Sequence, residues 1–292
     1  MTWQLTITGL LIGALVGLTG MGGGSLMTPI LILVFGFKPT LAVGTDILHG
    51  AVFKSFGAVR HRRLGTVHAR LTFWMFLGSA PFSLLGVEVA TLIEHRYGSG
   101  AGDAMAKVIG AALILGGLGF LAKTFVTRGH PPSDAPFLLS NRDRVICVAL
   151  GASGGFIVGL TSVGSGTFFA LVMLLVFPLT AAKIVGTDIF HAAALLWVAG
   201  ISHLVHGNVD LSAMGWLLLG SIPGILFASK LTVRVPEGAL RVGLGTVLLA
   251  SGVRLVEFPG YELLVPVILV VGGVGAVLTQ VRLIQARAAP EV

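Results

Sequence analysis

Two glycine-rich runs stand out for the chemistry they permit inside apolar surroundings. Gly20-Met21-Gly22-Gly23-Gly24-Ser25 interrupts an apolar stretch at 3–37, and Thr161-Ser162-Val163-Gly164-Ser165-Gly166-Thr167 interrupts another at 145–177. Glycine lets the chain turn, and lets a ligand approach the backbone, without a Cβ penalty. A helix that restarts after such a break, near Ser25 in the first case, offers unpaired N–H groups and the positive end of its dipole. Thr19, Ser25, Thr161, Ser162, Ser165 and Thr167 add hydroxyl donors beside Gly22, Gly23, Gly24, Gly164 and Gly166. Two such termini facing one cavity would hold a small oxyanion. The plainer alternative is that the glycines only allow helices to pack closely, as small residues commonly do in membranes.

Ionisable residues accompany both breaks. Asp46 and Asp188 follow Thr45 and Thr187 near the starts of the next apolar segments. An ionisable group in a span is costly and usually functional. Each aspartate either carries a coupling proton or stays ionised and accepts hydrogen bonds from the amides of the break, as a cap does. His49 and His191 lie three residues on, so each shares a helix face with its aspartate and an Asp–His proton relay is conceivable. Lys54 has no charged counterpart, its equivalent being Leu196. It stands about two turns after Asp46 and roughly 80° away around the helix. There it would either hold an anion, together with Thr45 and Thr187, or snorkel toward the loop that begins at Arg60.

The elements that must position these groups are membrane helices. Apolar residues make up 55% of the 292 and charged residues 11%, where about a quarter is usual for soluble chains. Mean hydropathy is +0.97. Such a chain cannot cover itself with charge in water and is too apolar to be disordered. One cysteine, Cys147, excludes a disulfide framework and a Cys-cluster metal site, and no other metal site is expected. The net charge of +7 fits basic loops on one side of a membrane rather than nucleic-acid binding. Residues 1–18 lack a basic n-region and run into glycines rather than a cleavage site, so they are expected to stay in the mature chain. Runs long enough to span follow at 41–59, 71–93 and 105–126. After a polar connector come spans at 184–205, 211–231, 240–256 and 263–283, the second broken stretch lying before them.

The second half repeats the first at an offset of 142 residues. Gly17-Leu18-Thr19 matches Gly159-Leu160-Thr161, Gly44-Thr45-Asp46-Ile47 matches Gly186-Thr187-Asp188-Ile189, and Gly78-Ser79 with Pro81 matches Gly220-Ser221 with Pro223. His49 pairs with His191, His61 with His203 and Trp74 with Trp216. The division is a first repeat at 1–127, a connector at 128–143, a second repeat at 144–257, and an extra span and tail at 258–292. Basic residues gather at 60–70 (Arg60, Arg62, Arg63, Arg70), at 127–144, at 230–241 and at the C-terminus, all of which should be cytoplasmic. The loop after His203, equivalent to 60–70, holds no Lys or Arg up to Asp210 and should lie outside. These assignments agree only if each half crosses an odd number of times, as an inverted repeat. The expected fold is an all-α polytopic membrane protein. Each inverted repeat would hold a Gly-broken segment, re-entrant or two short helices, plus three spans. Gly-interrupted segments at matching positions of inverted halves point to a transporter's central binding site.

The run from Gly17 to Gly24, Pro29, then Gly44-Thr45-Asp46, and a second copy one half-length later resemble the TauE/SafE sulfite exporter family over nearly the whole chain. The second copy departs by reading Gly164-Ser165-Gly166-Thr167 instead of a triple glycine. The resemblance implies a multi-pass transporter of the bacterial inner membrane for sulfite, sulfonates or related small organosulfur anions, not an enzyme. The expected partners are a small anionic substrate, membrane lipid and a coupling proton, with the chain acting as a monomer or a homodimer. Neither a cofactor nor nucleic acid is called for. Two rival readings use the same residues: an anion channel, and an intramembrane aspartyl protease built on Asp46 and Asp188. The protease lacks its usual second glycine before the aspartate and gives no reason for two glycine breaks.

Overall fold

The computed structural model describes residues 2–19, 24–97, 100–125, 137–166, 168–228 and 237–288. Among these residues there are eleven helices and no strand. They are α1 (Thr2–Thr19), α2 (Gly24–Leu33), α3 (Pro39–Arg63), α4 (Ala69–Tyr97), α5 (Ala101–Phe125) and α6 (Asn141–Thr161). The rest are α7 (Phe168–Val176), α8 (Ala181–Val205), α9 (Leu211–Ala228), α10 (Glu237–Val256) and α11 (Tyr261–Ala288). Six of them, α4, α5, α6, α8, α9 and α11, are long and apolar enough to cross a membrane. The 25-residue α3 matches their length but carries Asp46, Lys54, Arg60, Arg62 and Arg63.

The broken stretches are not pairs of two short helices. Each is a long helix followed by a half-length one. With 18 residues α1 is about 27 Å long, close to a hydrocarbon core of about 30 Å, and α6 has 21. The 10-residue α2 and 9-residue α7 reach about half that depth. The long members are held by close contacts with helices of the other half. A Cβ on Gly9 or Gly13 of α1 would collide with the backbone of Leu217 or Ser221 in α9. At the equivalent places, Gly151 and Gly155 of α6 meet the backbone of Met75 and Ser79 in α4. Lipid supplies no hydrophobic drive between helices, so this backbone approach is a main source of their association.

Two further pairs bring equivalent helices together. Along α3 and α8, Leu48 meets Gly200, Gly50 meets Leu196 and Gly57 meets Ile189, so residue numbers rise on one helix as they fall on the other. The helices cross antiparallel. Gly110 against Gly252 and Gly117 against Gly245 give the same sense for α5 and α10. The central packing is apolar, drawing on Met27, Phe53, Leu71, Met75, Phe169 and Met173, all buried. Outside it, α11 rests on α10, where Gly272 lies against Thr246, and exposes Leu263, Val267, Val271 and Val277. An apolar surface of that kind suits hydrocarbon, not water.

Candidate functional site

The second break is built by its own sequence. The α6 helix stops at Thr161 because Ser162 takes the left-handed conformation, φ 63°, and Gly164 and Gly166 follow at φ 106° and 119°. A helix end leaves carbonyls and amides without partners, and each must be answered inside a membrane. Thr161 answers two: its Oγ1 donates to the Ile157 carbonyl at 2.7 Å and accepts from the Val163 N–H at 3.2 Å. His203, from α8, reaches the Gly159 carbonyl at 2.9 Å through Nε2. A carbonyl only accepts, so that ring nitrogen carries the proton.

One face of α3 grips this break with charge. Asp46 Oδ2 accepts from Thr28 Oγ1 of α2 at 2.6 Å and from Ser162 Oγ at 2.8 Å. Eight residues later Lys54 Nζ donates to both the carbonyl and the hydroxyl of Ser165, at 3.1 and 3.0 Å. Lys54 is only 4% exposed, which rules out snorkelling in this conformation. Asp46 and Asp188, both buried, lie close enough to act electrostatically on its ammonium. Two carboxylates and one ammonium therefore share a buried centre between the halves. The second oxygen of Asp46, Oδ1, is buried there with no hydrogen-bond partner.

The histidines face elsewhere. His49 Nε2 lies 2.9 Å from Ser221 Oγ on α9, and His191 Nε2 lies 2.9 Å from Ser79 Oγ on α4. Sharing a helix face does not bring His49 to Asp46, whose partners come from α2 and the break. Phe53 and Phe169 pack on the two imidazoles, with ring centres 5.1 and 4.5 Å away. Thr45 and Thr187 are buried too, and each hydroxyl accepts a backbone N–H from the other half. Thr45 takes that of Asp210, and Thr187 that of His68, both at 2.9 Å. These bonds tie the α3 and α8 helices to the starts of α9 and α4.

Ser162, Ser165, Asp46 and Lys54 thus come together, with Thr161, Gly164 and Gly166 shaping the break. Gly22, Gly23 and Thr167 lie outside the described residues, as do the side chains of Thr19 and Ser25, while Gly24 opens α2. Among the described residues no three His, Cys, Asp or Glu gather as metal ligands. Sequence reasoning missed Thr28, Ser79, Ser221 and His203. The two serines repeat at the same offset as the histidines they meet, a signal available in the sequence. Thr28 has Ala170 as its equivalent, so the repeat did not point to it.

Comparison with known proteins places the chain. The family model described as "Sulfite exporter TauE/SafE" matches residues 5–255. The chain is 37% identical over 258 residues to the probable membrane transporter protein YjnA of Bacillus subtilis (strain 168), covering 88% of this chain and 100% of that one. Two further proteins of that organism, the probable membrane transporter proteins YunE and YdhB, are 25% and 23% identical over 239 and 231 residues. These alignments cover 78% and 79% of this chain and 85% and 90% of the relatives. No solved structure shows significant similarity. With the match running from α1 almost to the end of α10, the chain belongs to the TauE/SafE family of membrane transporters.

Proposed function

We propose that the protein carries a small sulfur oxyanion, sulfite or a sulfonate, across the bacterial cytoplasmic membrane by alternating access at the α3–α6/α7 centre. The observation that carries this reading is the buried Lys54 ammonium, held on Ser165 within the second break. When an anion enters, Lys54 turns part of its donor capacity from Ser165 to the substrate, and hydroxyl and backbone donors of the break complete the shell. Asp46, Lys54 and Asp188 are all buried, so the conformation described is closed and the anion must reach them by a movement of the halves.

Charge balance argues for a proton. With both aspartates ionised the centre is net negative by one, and a bound monoanion would make it worse in a low dielectric. Protonating one carboxyl as the anion binds offsets the added charge and keeps the centre at net minus one, no worse than before binding. Asp46 can carry it, since Oδ1 is open to the proton while Oδ2 keeps its two hydroxyl donors. Export of an anion from a negative-inside cell runs downhill by about 2.3 kcal/mol per charge per 100 mV when no proton moves with it, so a proton as driving ion is needed for uptake.

The antiparallel crossing of equivalent helices, α3 on α8 and α5 on α10, supports the inverted repeat, with the 60–70 loop and the C-terminus cytoplasmic. The test is flux into proteoliposomes of purified protein with sulfite, sulfate, thiosulfate, taurine, sulfoacetate and lactate, with and without a pH gradient. Saturable counterflow of one sulfur anion, lost in Lys54→Gln, is the expected result. Unitary currents without counterflow would make the protein a channel. Flux indifferent to Lys54→Gln would remove the centre from the pathway.

A further inference from the structure

The outer side of α3, opposite the transport centre, forms a groove with α8. It encloses about 450 Å³ and opens toward the surroundings of the helix bundle. Its walls are Ala58 and Val59 on α3 and Ala193 and Ala194 on α8, small or branched apolar side chains that leave a channel between the helices. At the end of α3 the groove is bounded by Arg62 and Arg63, and Arg62 sits over the Phe190 ring at 5.8 Å. At its deep end Trp197 donates from Nε1 to Ser55 Oγ at 3.0 Å. From Arg63 to Ser55 the helix rises about 12 Å. The groove therefore runs from a doubly cationic mouth at the end of α3 along apolar walls to the Ser55–Trp197 pair.

We propose that this groove is a binding site for an anionic phospholipid, with phosphate on Arg62 and Arg63 and acyl chain along the alanine walls. The charge order matches that molecule and no soluble anion, which would have no use for the apolar length. Guanidinium groups pair with phosphate oxygens in a bidentate fork, and the carbonyl end of α3 leaves the arginines as the local source of positive charge. A second groove, between α4 and α6, offers one arginine, Arg144, where this one offers two, and so presents a weaker anchor. The proposed lipid would touch Ser55 next to Lys54, and so bear on the same helix that grips the second break.

Trp197 reports its own occupant. Replacing Trp3, Trp74 and Trp216 by Phe leaves it as the sole tryptophan of the full chain, reconstituted in phosphatidylcholine vesicles. Brominated phosphatidylglycerol at a minor fraction should quench Trp197 as if enriched about fivefold or more over bulk, relative to brominated phosphatidylcholine at the same fraction. Arg62→Gln with Arg63→Gln should abolish the difference, and so should Ala194→Phe, which fills the groove and keeps both arginines. Val59→Phe, at a half-exposed position, serves the same purpose with less strain on the helix contact. Size-exclusion profile and helical circular dichroism qualify each variant as folded. Equal quenching by the two lipids, or a preference that survives the double arginine change, would overturn the site. A preference that survives the filled groove would reduce it to diffuse surface charge and overturn it as well.

Discussion

Lys54 and Asp46 divide the work of one helix face, and their substitutions should separate accordingly. Removing the ammonium in Lys54→Gln leaves the break without its only buried cation among the described residues, and hydrogen bonds to charged groups are worth about 1.5–3 kcal/mol. Anion flux should fall about tenfold or more. Lys54→Arg, which keeps the charge but not the compact shape, should recover only part of it. Asp46→Asn keeps an acceptor for Thr28 and Ser162, so the protein should fold normally in a detergent melting assay. It can no longer exchange a proton. Uptake in Asp46→Asn proteoliposomes should cease to respond to an imposed inward proton gradient, whereas the unaltered protein should accelerate. A variant that still accelerates would place the proton elsewhere, with Asp188 the next candidate. The sequence exposed Asp46 and Lys54 because charge is rare in such a chain, and exposed Ser162 and Ser165 because glycine surrounds them. It was silent on Thr28, a single hydroxyl in an ordinary apolar turn whose importance exists only once α2 lies against α3.

Elements associate here through backbone contact, and the glycines sort by what lies opposite them. A side chain on Gly13 or Gly155 would meet the backbone of Ser221 or Ser79, which cannot swing aside. The helices would have to part, at a cost of about 1–3 kcal/mol for overpacking of this kind. They would also strain the His49–Ser221 or His191–Ser79 bond one helix away. Gly13→Ala and Gly155→Ala should therefore lower the thermal midpoint in detergent by several degrees, while Gly215→Ala, facing open space within α9, should leave it unchanged. A flat response at all three would mean that close approach does not hold α1 to α9. Element positions along the chain were legible from hydropathy and glycine spacing, within a few residues at most ends. The division of each broken stretch into a long and a half-length helix was not. Hydropathy is continuous across it; α6 ends where Ser162 turns left-handed, and along its 21 residues it lies against α4, a neighbour from the other half.

At the scale of the whole molecule the symmetry is one of exchange. Each half lends its long first helix to the other, α1 to α9 and α6 to α4, while the helices bearing Asp46 and Asp188 cross antiparallel at the centre. Two halves interleaved in this way do not separate as domains, so the alternating access proposed above would proceed by tilting at contacts that persist. The arrangement also makes a sidedness prediction that hydropathy alone does not. Leu64 and Val205 sit at nearly equivalent helix ends and are both exposed, at 62% and 78%. Under an inverted repeat they lie on opposite faces of the membrane. Cys147 is buried and can be replaced by Ser to give a background without thiols. In intact cells a membrane-impermeant maleimide should label Val205→Cys and leave Leu64→Cys unlabelled until the membrane is opened. The reverse order would keep the inverted repeat and turn the whole chain over, whereas labelling of both from outside would put the two repeats in the same orientation. The antiparallel crossing of α3 and α8 would then need another explanation.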